Sequence, residues 1–416
     1  MNATTGNDVG SEYEIWAKSQ VSRSVLRAAN AMTAPGVKPT DRLAVLMECH
    51  GSVMAARGPV APLLAFADFR SLLRGDPSQL LPDDVSPWDL DGLRTVDDDG
   101  YVTENAFDID AEQRMVLRIL SKYGKWGGLP DAERLDDEIA QETAFAQLTK
   151  AGDQTRYENG RGDLIRCPAG PIGVLSELRL PPLVADLYRE IPYAAVYRGW
   201  WFACPVCRWP MRVSLRREAR RQIGIVTCWH EPHRDMGASY RFQPVEGIAP
   251  PVLLPDPAPP RPEGPQAVLH PDVERVPEAQ PTEGSKALLR GVWRYTVVPG
   301  LAELALRDRL VERGVRVELW PAMDAYDLRV HVGRKRSRKK EQWRVDVKDY
   351  TSAATLGAQL HAQGGDRGGA DWLVVPDHRA KQVPKLSGVA EQYNLRVASA
   401  SEFGQLVCAA SGAVWA

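Results

Sequence analysis

The sequence predicts a multidomain chain with a mainly α N-terminal region, a small cysteine-rich module and a C-terminal α/β domain built on a mixed sheet. Three observations lead there. Apolar residues recur at helical spacing through the front of the chain, as from Tyr13 to Met32, Asp41 to Ala56 and Asp110 to Tyr123. A pair at Cys204 and Cys207 is followed by Cys228, His230 and His233. From Pro299 onward the pattern reads helix, three strands, helix, strand, helix, strand, the order of a sheet flanked by helices. The expected domains are 1–190, a helical region of unread role; 191–243, the cysteine module; 244–285, a proline-rich linker; and 286–416, the α/β domain.

The length of 416 residues favours two or three domains over a single core. Hydrophobic residues at 44% and charged residues at 25% are ordinary for a globular chain, which excludes a disordered or collagen-like class. No apolar run approaches the roughly 20 residues that span a bilayer, and the N-terminus lacks a basic stretch followed by an apolar one. A cytoplasmic protein without a membrane partner is therefore expected. Six cysteines are too few for a disulfide scaffold in a chain of this length. The net charge of -2 conceals local basic clusters, so nucleic-acid binding must be sought in those clusters.

The front region carries no chemical motif. Cys49 and His50 are adjacent in a helical stretch and read as ordinary packing. Between Phe242 and Lys286, prolines at 250, 251, 255, 257, 259, 260, 262 and 265 crowd a segment with few large apolar residues. Such a composition favours an extended, semi-rigid tether that proteases should reach first.

Two cysteines three apart form a tight turn whose thiolates converge on one ion, and a hairpin can deliver the remaining ligands. Arg212 to Leu215 and Ile223 to Val226 read as that hairpin. The ligands expected are Cys204, Cys207, Cys228 and either His230 or His233, a closed structural Zn2+ site; Cys167 could replace one of them. A redox pair is disfavoured, because Pro210 and strand-like alternation follow Cys207 where a helix would be needed.

In the C-terminal domain, Gln342 to Tyr350 reads as the third strand. Alternation places Trp343, Val345 and Val347 on one face and Arg344, Asp346 and Lys348 on the other. Phosphodiester hydrolysis requires a metal to neutralise developing charge and a water positioned for attack, needs that a carboxylate and a nearby lysine can meet. A second carboxylate is needed for the metal. Asp327, at the start of the adjacent strand, should come beside Asp346; Asp324 is the alternative, and Glu303 on the preceding helix is a plausible third ligand.

This arrangement resembles the PD-(D/E)XK restriction-endonuclease-like superfamily, with Pro321-x-x-Asp324-x-x-Asp327 as the first part of the motif and Asp346-Val347-Lys348 as the second. The resemblance covers about a third of the chain and implies that Asp327 and Asp346 bind Mg2+ or Mn2+ and that Lys348 orients or activates the water. Glu303 would be the acidic residue of the first helix and Gln359 the polar residue of the helix after the third strand. No proline directly precedes Asp327, which leaves the choice between Asp324 and Asp327 open. More narrowly, the layout is similar to the nuclease-like component that accompanies prokaryotic pPIWI-RE proteins. That likeness implies a PIWI-like partner, a DinG-type helicase and a role in defence against plasmids and phages.

The tip joining the second and third strands carries Arg334, Lys335, Arg336, Arg338, Lys339 and Lys340, suited to a phosphate backbone. The function expected is metal-dependent endonucleolytic hydrolysis of nucleic acid, with DNA favoured. The rival reading is a non-catalytic nucleic-acid-binding adaptor on a degenerate nuclease fold.

Overall fold

The computed structural model describes residues 7–33, 38–85, 93–97, 102–106, 108–109, 112, 136–150, 152–218, 221–244, 247, 249–273, 275–333 and 341–416. The basic tip residues Arg334, Lys335, Arg336, Arg338, Lys339 and Lys340 lie outside the described residues, as does most of the helix expected from Asp110 to Tyr123. The chain divides into two compact units, Met1–Pro130 with Tyr350–Gln363, and Asp131–Asp349 with Gly364–Ala416. No helix among the described residues is long and apolar enough to cross a membrane.

The first unit is helical. In α1 (Asn7–Thr33), Ala17, Val21, Val25 and Ala28 recur every three or four residues and are fully buried. In α2 (Pro39–Arg57), Leu46, Cys49, Val53 and Ala56 repeat the same spacing, and the two stripes share one core. Proline enters α2 in its first turn, where the missing N–H costs nothing, and Gly58 with φ +78° ends it. Cys49 packs in this core, as its helical position suggested, and burial pushes its thiol up to about 11. The helix Ala353–Ala362 also belongs to this unit. Its start is fixed by Glu112, whose carboxylate accepts from the amides of Thr351 and Ser352 at 2.7 and 3.0 Å, while the Ser352 hydroxyl caps Thr355. Gln359 is therefore carried by the first unit.

The second unit contains the cysteine hairpin, β1 (Arg212–Glu218) and β2 (Arg221–Thr227), extended by β3 (Ser239–Phe242). It also contains a five-stranded sheet: β4 (Arg316–Leu319), β5 (Leu328–Val332), β6 (Glu341–Val347), β7 (Trp372–Val375) and β8 (Arg396–Ser399), in that spatial order. The first two pairings are antiparallel and the last two parallel, giving the mixed sheet that the sequence predicts. Val345 and Val347 face a core shared with Leu306 and Leu310 of one helix and Phe403 and Val407 of another. The second of these, Ala400–Ser411, was not anticipated. Ser399 and Glu402 form a reciprocal capping box at its start and Gly412 closes it in the left-handed conformation.

The proline-rich segment is largely extended, with one 3-10 turn at Gly264–Val268, and short stretches of it are paired. Leu254–Pro255 adds to β3, Ala279–Pro281 pairs with Trp200–Phe202, and Ser285–Leu288 runs between Ala169–Pro171 and Tyr188–Glu190. Leu253 is buried, and the Pro265 carbonyl accepts from Trp415 Nε1 and Ser401 Oγ, both at 3.1 Å. Proline is compatible with such short edge pairings because its missing donor can face away from the partner. The apolar core likewise runs across residue 286: Trp201, Trp209 and Tyr240 share a cluster with Leu288, Trp293, Val298 and Trp320.

Candidate functional site

The site grows from the edge where β5 begins and β6 ends. Asp327 sits one residue before β5, and its Oδ2 accepts from the Val347 amide at 2.6 Å, which ties it to the end of β6. Alternation on β6 turns Asp346 away from the valine core. Lys348 Nζ donates to Asp346 Oδ1 at 2.6 Å and stands 3.7 Å from Asp327 Oδ2. Asp327, Asp346 and Lys348 are thus brought together as the hairpin implies. Glu303 reaches the same cluster from α3 (Val298–Glu312).

The cation that joins them comes from a distant helix that carries no motif. Arg161, in the helix Gln154–Arg166, holds both oxygens of Glu303 through Nη2 at 3.0 and 2.9 Å and lies 3.7 Å from Asp327 Oδ1. Its Nη1 pairs with Asp324 and donates to the Tyr157 hydroxyl at 3.0 Å. The guanidinium also stacks over Trp320, whose indole N–H donates to Glu303. Both candidates for the first motif aspartate are therefore engaged, Asp324 by Arg161 and Asp327 by the Val347 amide and the two cations.

The backbone leading into Asp324 is strained. Trp320, Ala322, Met323 and Asp324 all have positive φ, between 43° and 77°, although none is glycine. A non-glycine residue in this region costs on the order of 1–3 kcal/mol, which persists only where surroundings enforce it. Here Gln154 braces the turn, donating to the Trp320 carbonyl at 2.9 Å and accepting from the Met323 amide at 2.9 Å.

Burial, and then the neighbouring Glu303, raise the Asp327 carboxyl well above the usual carboxylate range. Burial also raises Glu303, with Arg161 opposing. For Lys348 burial acts downward, but Asp346 and Asp327 outweigh it and hold the ammonium above its ordinary value. A cation entering such a cluster displaces protons as it binds. Two carboxylate oxygens there, Asp346 Oδ2 and Asp324 Oδ1, are buried without a hydrogen-bond partner among the described residues. Arg367 Nε is the cation near the first, at 3.7 Å. A buried carboxylate oxygen left without a donor is costly unless something positive completes it.

Away from this cluster, Cys204, Cys207, Cys228 and His233 bring their ligand atoms within 4.8 Å of one another, all buried. Cys207 and Cys228 Sγ are 3.8 Å apart, and His233 Nδ1 lies 3.5 Å from Cys228 Sγ and 4.0 Å from Cys204 Sγ. The turn closes because Arg208 adopts φ +59° and donates its amide to the Cys204 carbonyl. Of the two histidines left open by the sequence, His233 joins the cysteines. His230 turns instead to Asp349, its Nε2 lying 3.5 Å from Oδ2. Burial lowers His230 to about 3, leaving a neutral imidazole.

Comparison with known families finds a similarity in the part of the chain that bears the carboxylates. Residues 300–415 match the family model of the REase associating with pPIWI_RE. The match covers Glu303, Asp324, Asp327, Asp346 and Lys348, and meets the narrower likeness drawn from the layout of the sequence. Arg161 and the cysteine module lie outside that span. No curated protein and no solved structure matches the chain.

Proposed function

We propose that this chain is a metal-dependent nuclease of the PD-(D/E)XK class that hydrolyses phosphodiester bonds of nucleic acid, DNA foremost. The observation that carries the reading is that Asp346 keeps one buried oxygen, Oδ2, without a hydrogen-bond donor while its other oxygen is held by a lysine that also stands beside Asp327. Asp327 and Asp346 would hold Mg2+ or Mn2+, with Glu303 and Asp324 completing the acidic surround. When bound, the ion supplies charge neutralisation at the phosphate and a water more easily deprotonated than bulk water. Lys348 orients that water and stabilises charge as it develops, and Arg161 keeps the carboxylates at their separations. The basic tip from Arg334 to Lys340 would position the backbone of the substrate. The family's description supports a pPIWI_RE protein as partner; a DinG-type helicase and a role in defence against plasmids or phages extend the same proposal, within the cytoplasm.

Incubating the purified chain with labelled duplex and single-stranded DNA and RNA, with Mg2+, with Mn2+ and with EDTA, tests this. Cleavage of DNA in either metal and none in EDTA is expected. Binding without cleavage under every condition would favour the adaptor reading.

The cysteine module is proposed as a structural Zn2+ site formed by Cys204, Cys207, Cys228 and His233. Thiolates about 2.3 Å from a tetrahedral ion lie about 3.8 Å apart, which agrees with the Cys207 to Cys228 spacing. Cys204→Ser is expected to release this zinc and lower the midpoint of thermal unfolding, because binding energy at such a site is folding energy. Elemental analysis beside a melting curve checks it, and an unchanged zinc content would remove Cys204 from the ligand set.

A further inference from the structure

His230 is fully enclosed, and its Nε2 has no hydrogen-bond partner among the described residues. It lies with Asp349 and His378, and the three ligand atoms fall within 4.8 Å of one another. Three separate stretches of chain supply them. His230 lies between Cys228 and His233 of the cysteine module, Asp349 follows Lys348 directly, and His378 lies just past β7. We propose that His230, Asp349 and His378 form a second transition-metal site, distinct from the cysteine module, that binds a zinc-class dication.

The separations suit such an ion. Nitrogen and oxygen ligands sit about 2.0–2.2 Å from zinc, so the edges of their tetrahedron measure about 3.3–3.6 Å. His230 Nε2 is 3.5 Å from Asp349 Oδ2, an edge of that length, while His378 Nε2 is hydrogen-bonded at 3.2 Å to the other oxygen of the same carboxylate, Oδ1. Two imidazoles and a carboxylate favour zinc and its neighbours over Mg2+ or Ca2+, which prefer oxygen alone.

The charges around the site are compatible with this. Arg379 Nε donates to Asp349 Oδ1 at 2.9 Å, and Arg294 Nη2 donates to the Asp349 backbone carbonyl at 3.2 Å. A donor on one oxygen of a ligating carboxylate is the usual outer support of a metal site, and it fixes the orientation of the other oxygen. The His378 side chain is 18% exposed, so the ion would have a route in and room for water as fourth ligand. This inference is independent of the nuclease reading, because none of its three ligands is among the residues assigned to cleavage.

Zinc content per chain, measured on full-length protein prepared with zinc and without chelator, tests it. Two zinc ions are expected in the unsubstituted protein, one in His378→Ala and one in Cys204→Ser. His378 is partly exposed, so its alanine variant should keep the fold, which circular dichroism verifies. Cobalt(II) provides a second reading that does not depend on stoichiometry. A cobalt site lacking thiolate charge-transfer absorption should appear in the unsubstituted protein and vanish in His378→Ala and in the milder His378→Gln. Equal zinc content in the unsubstituted protein and His378→Ala, or cobalt spectra with thiolate character alone, would overturn the proposal.

Discussion

Lys348→Ala is expected to reduce metal-dependent cleavage by about 10²–10⁴-fold, the scale on which a group acting at a phosphoryl transition state contributes. Lys348 donates to Asp346 and lies beside Asp327, so its removal takes away positive charge where the attacking water would be held. Asp346→Asn should act as strongly for a different reason. It preserves shape but halves the anionic partnership a metal requires. Single-turnover cleavage across a Mg2+ titration separates the two: added metal should partly restore Asp346→Asn and leave Lys348→Ala unchanged. Cleavage by either variant at the unsubstituted rate would place the active centre elsewhere.

The second large effect concerns Arg161, whose guanidinium is buried against Glu303, Asp324 and Asp327. Removing one partner of a buried ion pair leaves uncompensated charge and costs about 3–5 kcal/mol. Arg161→Ala is therefore expected to shift the urea unfolding midpoint strongly downward and to abolish cleavage in whatever fraction stays folded. Arg161→Lys should recover only part of both, because an ammonium cannot grip both oxygens of Glu303. The double variant Arg161→Ala with Glu303→Gln should lose less stability than the two single changes added together, since the buried charge is then gone with its partner. Strict additivity, or an Arg161→Ala midpoint equal to that of the parent, would show that the contact carries no such energy.

What could be read from the sequence was local. Strict alternation in β6 placed Val345 and Val347 in a core and Asp346 opposite them, and the acidic start of β5 brought Asp327 close to Lys348. Each of these depends on neighbours along one hairpin. Arg161 lies 142 residues from Glu303 in an undistinguished helix, and no local periodicity records a contact of that range. A hint existed in the glycines beside it: a side chain at Gly160 would strike Leu148 at 2.7 Å, the mark of a helix pressed closely against its surroundings. The turn at Trp320 to Asp324 was hidden for the opposite reason, since it adopts left-handed backbone without the glycines that usually announce it. For the proline-rich segment, composition specified an extended conformation and could not specify what that conformation would pair with.

The grip of Arg161 on Glu303 also bears on what a broken chain can do. A fragment carrying only residues 300–415 would keep every carboxylate of the cluster, with Lys348 beside Asp346, and lose Arg161, the cation that pairs with Glu303 and Asp324. Freed of that partner, Glu303 and Asp324 would repel their acidic neighbours or take up protons, and either response would disturb the proposed divalent-ion site. A proteolytic cut that parts the helix Gln154–Arg166 from residues 300–415 would then disable the proposed site even though no proposed metal ligand is lost.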